Sequence, residues 1–584
     1  MLPNLSPPRA QGKCGEPTSS RGPTPPDRYC IIGAGAAGLT VARNFRQHGI
    51  AFDCLERNPD IGGLWNAAMP GAAVYDTTHL VSSKRMSGFI GFPMPANYPD
   101  YPSHLQALEY LRAYADAFDL NGDIELNAVV EWAEPCEAGW RVRVAGESAP
   151  RAYKGVVVAN GHHYKPHWPT FPGSFSGEII HARDYVGPEQ LAGKRVLVVG
   201  GGNSGCDIAA DAAQRATRVV HSMRRGYHVI PKYMLGRPSD QLMNGIEKWP
   251  VPRALRDAIC DRLLTAFTGP PERLRLQRPD HGLFATHPVV SQLYPHYVGH
   301  GKIHPMPNVD RFEGATVVFD NGHREEVDLV IYATGYEISI PFMDRCVVFS
   351  DSGALKLLVN IFHPELDNLF FVGLIQVIDG GGWPIMDRQA QLVARFIAAG
   401  SAAGRRAKWL ERLEKQDRSI HNQRRRYVNS QRHMIEVARN DYQKALTRLQ
   451  ATTGASVQSV QSVQSVQTIQ SASASPDRVP KHANGYFMEE MEGKQLLYRL
   501  GADKALHLNG TAALIWKLCD GSRTVDQVVE VLSGEYTEDA SRLRSDVAET
   551  IERLRQEGAL IEARQITRGE HRTTSSESRA SGFE

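Results

Sequence analysis

The stretch Tyr29-Cys30-Ile31-Ile32-Gly33-Ala34-Gly35-Ala36-Ala37-Gly38 runs from an apolar strand into a small-residue helix through three glycines spaced G-x-G-x-x-G. Glycine at these places allows a tight turn, close backbone approach to a pyrophosphate, and close packing of helix on strand. The anion then sits on the helix N-terminus, where free N–H groups and the dipole favour it. About 170 residues on, Arg195-Val196-Leu197-Val198-Val199-Gly200-Gly201-Gly202-Asn203-Ser204-Gly205 repeats the design. One such motif arises easily by chance. Two, each in strand–turn–helix context, imply two dinucleotides on one chain and electrons passing from a nicotinamide to a flavin.

The residues beyond each motif distinguish the nucleotides. The strand Ala51-Phe52-Asp53-Cys54-Leu55 ends in Glu56, about 20 residues past the glycines, where a carboxylate accepts ribose hydroxyls and repels a 2′-phosphate. After the second helix, Thr217-Arg218-Val219-Val220-His221-Ser222 leads into Met223-Arg224-Arg225-Gly226. Arginine forks suit a phosphate. FAD is therefore expected at the first site, with Ala34, Ala36, Ala37 and Glu56 beside Gly33, Gly35 and Gly38. NADPH is expected at the second, with Asn203, Ser204, Asp207, Arg224 and Arg225 beside Gly200, Gly202 and Gly205.

With 584 residues the chain exceeds one core and should hold several domains. Its 66 basic and 64 acidic residues argue against bulk nucleic-acid binding. No apolar run approaches the roughly 18 residues of a membrane span. The first 27 residues, rich in Pro, Ser and Gly, read as a disordered leader. Eight cysteines lie scattered with no C-x-x-C, which disfavours a disulfide reductase and fits a reducing, cytoplasmic setting.

Phe175-Ser176-Gly177-Glu178-Ile179-Ile180-His181-Ala182-Arg183-Asp184-Tyr185 fits FxGxxxHxxxY. Together with Gly62-Gly63-Leu64-Trp65, Ala333-Thr334-Gly335-Tyr336 and Asp387-Arg388-Gln389-Ala390-Gln391, it makes residues 28 to 445 resemble the flavin-containing monooxygenases. The resemblance implies an α/β fold of two Rossmann-like domains, an NADPH domain (188–327) inside a discontinuous FAD domain (28–187 and 328–450). It implies reduction of FAD by NADPH, addition of O2 at the flavin C4a carbon, and oxygen transfer to a soft nucleophile. It adds Leu64, Trp65 and Gln391 to the FAD contacts and gives His181 a linking rather than an acid–base role. Many members carry Asn where Val81 stands, beside flavin and nicotinamide. Ser82 or Ser83 could substitute; otherwise a flavin oxidase without oxygen insertion is the alternative, and Baeyer–Villiger oxygenation of ketones is another. No catalytic side chain stands out beyond Val81 and Ser82.

Residues 389 to 450 have helical character, with Trp409, Leu413, Ile420 and Tyr427 at helix periods and a basic Arg424-Arg425-Arg426 face. Residues 451 to 477, with Ser-Val-Gln given four times from Ser456, cannot bury a core and read as a tether. Core-forming character returns over 478–563, before a disordered tail (564–584). The run from Leu506 leads into a helix capped by Asn509 or Thr511 and continuing to Cys519; a second is capped by Thr524, a third runs from about Ala540 to Gln556, then a short strand. Leu508-Asn509-Gly510-Thr511-Ala512-Ala513 and Leu554-Arg555-Gln556-Glu557-Gly558-Ala559-Leu560 resemble the PqqD-like family. That likeness implies a small winged-helix α+β domain that captures the leader of a precursor peptide, commonly by strand addition. The acidic run Glu535, Glu538 and Asp539 argues against DNA. The combined expectation is a monooxygenase acting on a ribosomally made peptide. A stand-alone small-molecule oxygenase, possible as a homo-oligomer, is the alternative.

Overall fold

The computed structural model describes residues 27–137, 139–247, 249, 251–400, 403–424 and 434–452, then 478–482, 486–491, 494–499, 505–508, 510–519, 523–533, 540–556 and 559–564. The expected leader, the Ser-Val-Gln tether, the C-terminal tail, Arg425, Arg426, Tyr427 and Asn509 lie outside these residues. The chain divides into two compact units, residues 1–457 and 458–584.

In the first unit, strands such as Arg28–Ile32 and Arg195–Val199 are apolar almost throughout, with four of five residues buried in each. That pattern belongs to strands covered on both faces, as in parallel sheets. The first sheet runs Leu369–Phe371, Gly155–Val158, Arg28–Ile32, Ala51–Leu55, Ile124–Glu125, all parallel. The second runs Glu178–His181, Leu329–Tyr332, Arg195–Val199, Arg218–Ser222, His304–Met306, again all parallel. This second sheet reaches past both expected limits of the NADPH domain, 188 and 327. Glu178–His181 and Leu329–Tyr332, assigned by sequence to the flanking domain, pair with each other in it. Their short apolar runs carry no mark of which sheet they join; the pairing partner decides.

Each glycine motif opens a helix that lies on its sheet, Ala36–Gln47 in the first case and Asn203–Arg215 in the second. Helix Trp383–Ala398 packs against the former, and its Gln389 Oε1 accepts from the Gly373 N–H at 2.9 Å, at a place where a Cβ on Gly373 would lie 2.7 Å from the Ala37 Cβ. Asp387 fastens this contact from inside. Its carboxylate accepts from Asn44 Nδ2 at 2.9 Å and from the Ile90 N–H at 3.1 Å, and meets Arg43 Nη1 at 3.4 Å. The Arg43 guanidinium also stacks over Phe118. The helical region beyond is broken into Trp383–Ala398, Ala403–Arg424 and Arg439–Gln450, with Trp409, Leu413 and Ile420 buried. Among the described residues, no helix is long and apolar enough to cross a membrane.

The second unit contains helices Gly510–Leu518, Val525–Ser533 and Ala540–Gln556. Thr524 caps the middle helix in a reciprocal pair: its Oγ accepts from the Gln527 N–H, and its own N–H donates to Gln527 Oε1. Leu532, Val547, Ile551 and Leu554 are buried in one core with Trp516 and Leu560. The first helix opens at Gly510, beside the expected caps Asn509 and Thr511, so the residues just before it are not helical. Ala505–Leu508 is instead the third strand of an antiparallel sheet, after Tyr486–Met491 and Lys494–Arg499. A further pair joins Arg478–His482 to Leu560–Arg564.

Replacing Asp387 by Ala leaves the buried Arg43 charge without its carboxylate. The expected cost is about 3–5 kcal/mol, read as a fall in the thermal unfolding midpoint of the purified protein.

Candidate nucleotide and substrate site

Both glycine loops are fitted to an anion by what they lack. Gly33 has φ +105°, and a Cβ on it would fall 2.7 Å from the Ala159 carbonyl oxygen. A Cβ on Gly38 would fall 1.8 Å from the Gly33 carbonyl oxygen, so the helix must rest on bare backbone. Gly200 and Gly205 repeat these contacts, against Ala333 at 2.3 Å and against Gly200 at 1.8 Å. The helices begin at Gly35 and Gly202, neither with a side-chain cap. Their first-turn N–H groups are thus left to face a crevice, the arrangement that takes a phosphate. The residues present therefore fit two dinucleotides.

At the first crevice Glu56 is buried and already holds the loop. Its Oε2 accepts from the Ala34 N–H at 2.8 Å, and its Oε1 from the Asn58 N–H at 2.9 Å. A carboxylate has about four acceptor positions, so ribose hydroxyls can still be taken. Leu64 and Trp65 lie on the short turn Gly63–Trp65, which abuts the loop: a Cβ on Gly35 would lie 3.6 Å from the Gly63 Cα. Trp65 meets Trp383 edge-on. Gln391 is hydrogen-bonded to the buried Asp387 carboxyl.

At the second crevice several expected contacts are engaged in other ways. Asn203 Oδ1 accepts from the Val290 N–H at 2.8 Å, tying down a neighbouring segment. Ser204 donates a hydrogen bond to the Tyr75 oxygen. Asp207 is turned to the junction between the sheets, where burial pushes its carboxyl up to about 7 against the opposing charge of Lys232. Arg225 is paired with Asp280 at 2.7 Å. Arg224 is exposed at the end of its strand, and among the described residues no ion pair is recorded for it. Sequence reading missed Tyr227, whose ring covers Gly201 so closely that a Cβ there would lie 2.4 Å from it. An aromatic five residues past the strand end was the available signal.

The sheets are joined through the FxGxxxHxxxY segment. Tyr185 Oη donates to Asp211 Oδ2 at 3.0 Å, and Thr77 Oγ1 donates to the same oxygen at 2.6 Å. His181 is buried. Its Nδ1 accepts from the Arg183 N–H, so Nε2 donates to the Gly335 carbonyl at 3.2 Å. Burial lowers its pKa, and it stays neutral and structural.

Between the two halves lies an inner pocket. Val81, Ser82 and Gly380 come from one half; Ile230, Met243 and Val290 come from the other. Val81 offers it no hydrogen bond. The neighbouring hydroxyls are spent: Ser82 Oγ lies 2.8 Å from Ser87 Oγ, and Ser83 Oγ accepts from Gln241 Nε2 at 3.2 Å. The Ser83 N–H donates to Asp240, whose carboxyl is raised by burial.

Arg224→Ala is expected to raise KM for NADPH by about tenfold or more while leaving KM for NADH nearly unchanged, since only the former carries the 2′-phosphate. Steady-state kinetics with both nucleotides checks this.

Residues 27–463 match the flavin-binding monooxygenase-like family, and residues 494–560 match coenzyme PQQ synthesis protein D. Flavin-containing monooxygenase 5 of Mus musculus is 32% identical over 437 residues, 70% of this chain and 80% of its own length. The S-allyl-L-cysteine S-oxygenase of Allium sativum superposes with TM-score 0.53 at 20% identity, covering 73% of this chain and 88% of its own. Cyclohexanone monooxygenase, in an open crystal structure, gives 0.54 at 18%, covering 73% and 96%. These two structural likenesses carry the fold alone. With its two glycine cradles and three-quarters of its length matched, this chain belongs to the flavin-binding monooxygenase family, whose cofactors are FAD and NADPH.

Proposed function

We propose that the enzyme transfers one oxygen atom to a nitrogen or sulfur nucleophile on a ribosomally made precursor peptide, whose leader is captured by the PqqD-like unit. The observation that carries this reading is the presence of both matches on one chain. In the balanced reaction one atom of O2 joins the acceptor and the other leaves as water. NADPH supplies two electrons and a proton, and solvent supplies a second proton. FAD, when bound, mediates between NADPH and O2.

The side chains of this chain do the rest. The Gly33–Gly38 loop and Glu56 seat FAD, and the Gly200–Gly205 loop with Arg224 seats NADPH. The inner pocket, with Val81, Ile230, Met243 and Val290 in its wall, keeps water from the reacting oxygen and favours a soft acceptor. We read the second unit as a winged helix, from its three helices and the strand pair Arg478–His482 with Leu560–Arg564. Its tether would raise the local peptide concentration to about millimolar.

Deleting residues 478–584 is expected to abolish peptide-stimulated NADPH oxidation while NADPH oxidation without peptide persists. Unchanged peptide stimulation in the truncated enzyme would refute capture by this unit. Val81→Asn, which puts a hydrogen-bonding side chain into the pocket, is expected to lower the hydrogen peroxide released per NADPH oxidised. An unchanged ratio would mean that Val81 does not control that loss.

A further inference from the structure

The inner pocket adjoins a wider groove. Phe284 and Asp379 line both, so the two spaces share a wall. The groove, about 610 Å³, runs between helix Arg253–Thr268 and helix Arg439–Gln450. Its volume falls within the range of about 300–1,000 Å³ usual for ligand clefts.

Helix Arg439–Gln450 shows how the groove is built. Tyr442, Ala445, Leu446 and Leu449 recur at helical spacing and are buried in the core. The remaining face, including Lys444, Thr447 and Arg448, lines the groove. Arg256 and Asp257 stand on the other wall, and Trp249, 51% exposed, completes the lining. A solvated polar helix face is commonplace. Here, however, that face adjoins the inner pocket between the two nucleotide-binding halves, and an exposed Trp lies beside it. A small amine or thioether would be held by the inner pocket alone and would not use these charges. A chain with backbone amides and side chains of both signs would use them, and Trp and Arg are the residues enriched where polypeptides dock.

We propose that this groove seats an extended peptide segment, and that the Phe284–Asp379 neck admits its reacting side chain to the inner pocket. The proposal rests on the peptide-oxygenase reading above and names where on the enzyme unit the peptide lies.

The test uses the full-length enzyme with FAD and NADPH and a pool of short, mixed-sequence methionine peptides bearing a benzophenone. Crosslinks are mapped by mass spectrometry, and oxygen gained by the peptides is measured alongside. Crosslinks are expected on Arg253–Thr268 and Arg439–Gln450. Thr447→Trp, an exposed position whose new ring would fill the groove, is expected to cut them about tenfold. It should lower peptide oxygenation relative to dimethyl sulfide oxygenation by a similar factor. Should tryptophan disturb the helix, Lys444→Glu with Arg448→Glu is expected to remove crosslinking of the acidic peptides in the pool.

Crosslinks confined to other elements, or variants that change nothing, would overturn the groove. Groove crosslinks without oxygen gain would support the seat and refute the oxygenase reading. Oxygen gain with crosslinks that avoid both helices would do the reverse.

Discussion

The contact of Gly38 with the Gly33 carbonyl, repeated by Gly205 on Gly200, is the constraint from which the enzyme unit follows. In both places a single added carbon would lie 1.8 Å from a backbone oxygen, well inside any tolerable contact. The helix therefore starts directly over the strand end, and its uncapped N–H groups face the crevice instead of solvent. Displacing the helix would withdraw these donors from the pyrophosphate. It would also break the geometry by which Glu56 reaches the Ala34 N–H and by which Asn203 fixes Val290. Nucleotide seats and pocket wall thus depend on the same absent side chains.

Two seats are useful only if their separation is fixed, and buried polar groups fix it. Asp211 receives Tyr185 and Thr77, while His181 bonds the Gly335 carbonyl. Buried carboxylates without such donors would be costly. Even with Tyr75 hydrogen-bonded to it, Asp207 is raised to about 7 by burial, with Lys232 opposing. An acid with a raised pKa holds its proton more tightly folded than unfolded. The folded state therefore loses ground as pH climbs from the ordinary carboxylate range to about 7. Some stability at neutral pH is given up for a packed junction.

Both cradles, Glu56 and the linking segment were legible in the sequence because each is a local pattern with a local cause. A glycine needed for backbone contact, or a carboxylate at a strand end, declares itself within a few residues. Of the inner pocket, only Val81 and Ser82 had been singled out, and those by the family resemblance. Val81, Ile230, Val290 and Gly380 meet only after the chain has crossed between sheets, and apolar residues carry no mark of which cavity they will face. The same holds for Gln391, whose bond to Asp387 depends on helix Trp383–Ala398 lying against Ala36–Gln47. Asn203 and Arg225 look like phosphate ligands by position. Their partners, Val290 and Asp280, come from remote segments, so the competition for them was hidden. Strand Ala505–Leu508, just before the cap, was not foreseen, because its antiparallel partner, Lys494–Arg499, decides its state and propensity alone gives no hint of that partner.

At Val81 the pocket wall supplies no donor, and the hydroxyls beside it serve neighbouring groups. An enzyme so built relies on excluding water and on having its acceptor in place when oxygen becomes available. Small diffusing acceptors meet that condition only at high concentration. On the peptide-oxygenase reading proposed above, an acceptor on a captured peptide would meet it continually, because the bound leader would raise the local concentration of the rest of the peptide. On that reading the apolar wall and the PqqD-like unit, which look unrelated along the sequence, would be two parts of one solution: weak stabilisation at the reacting oxygen offset by constant supply of the group that consumes it.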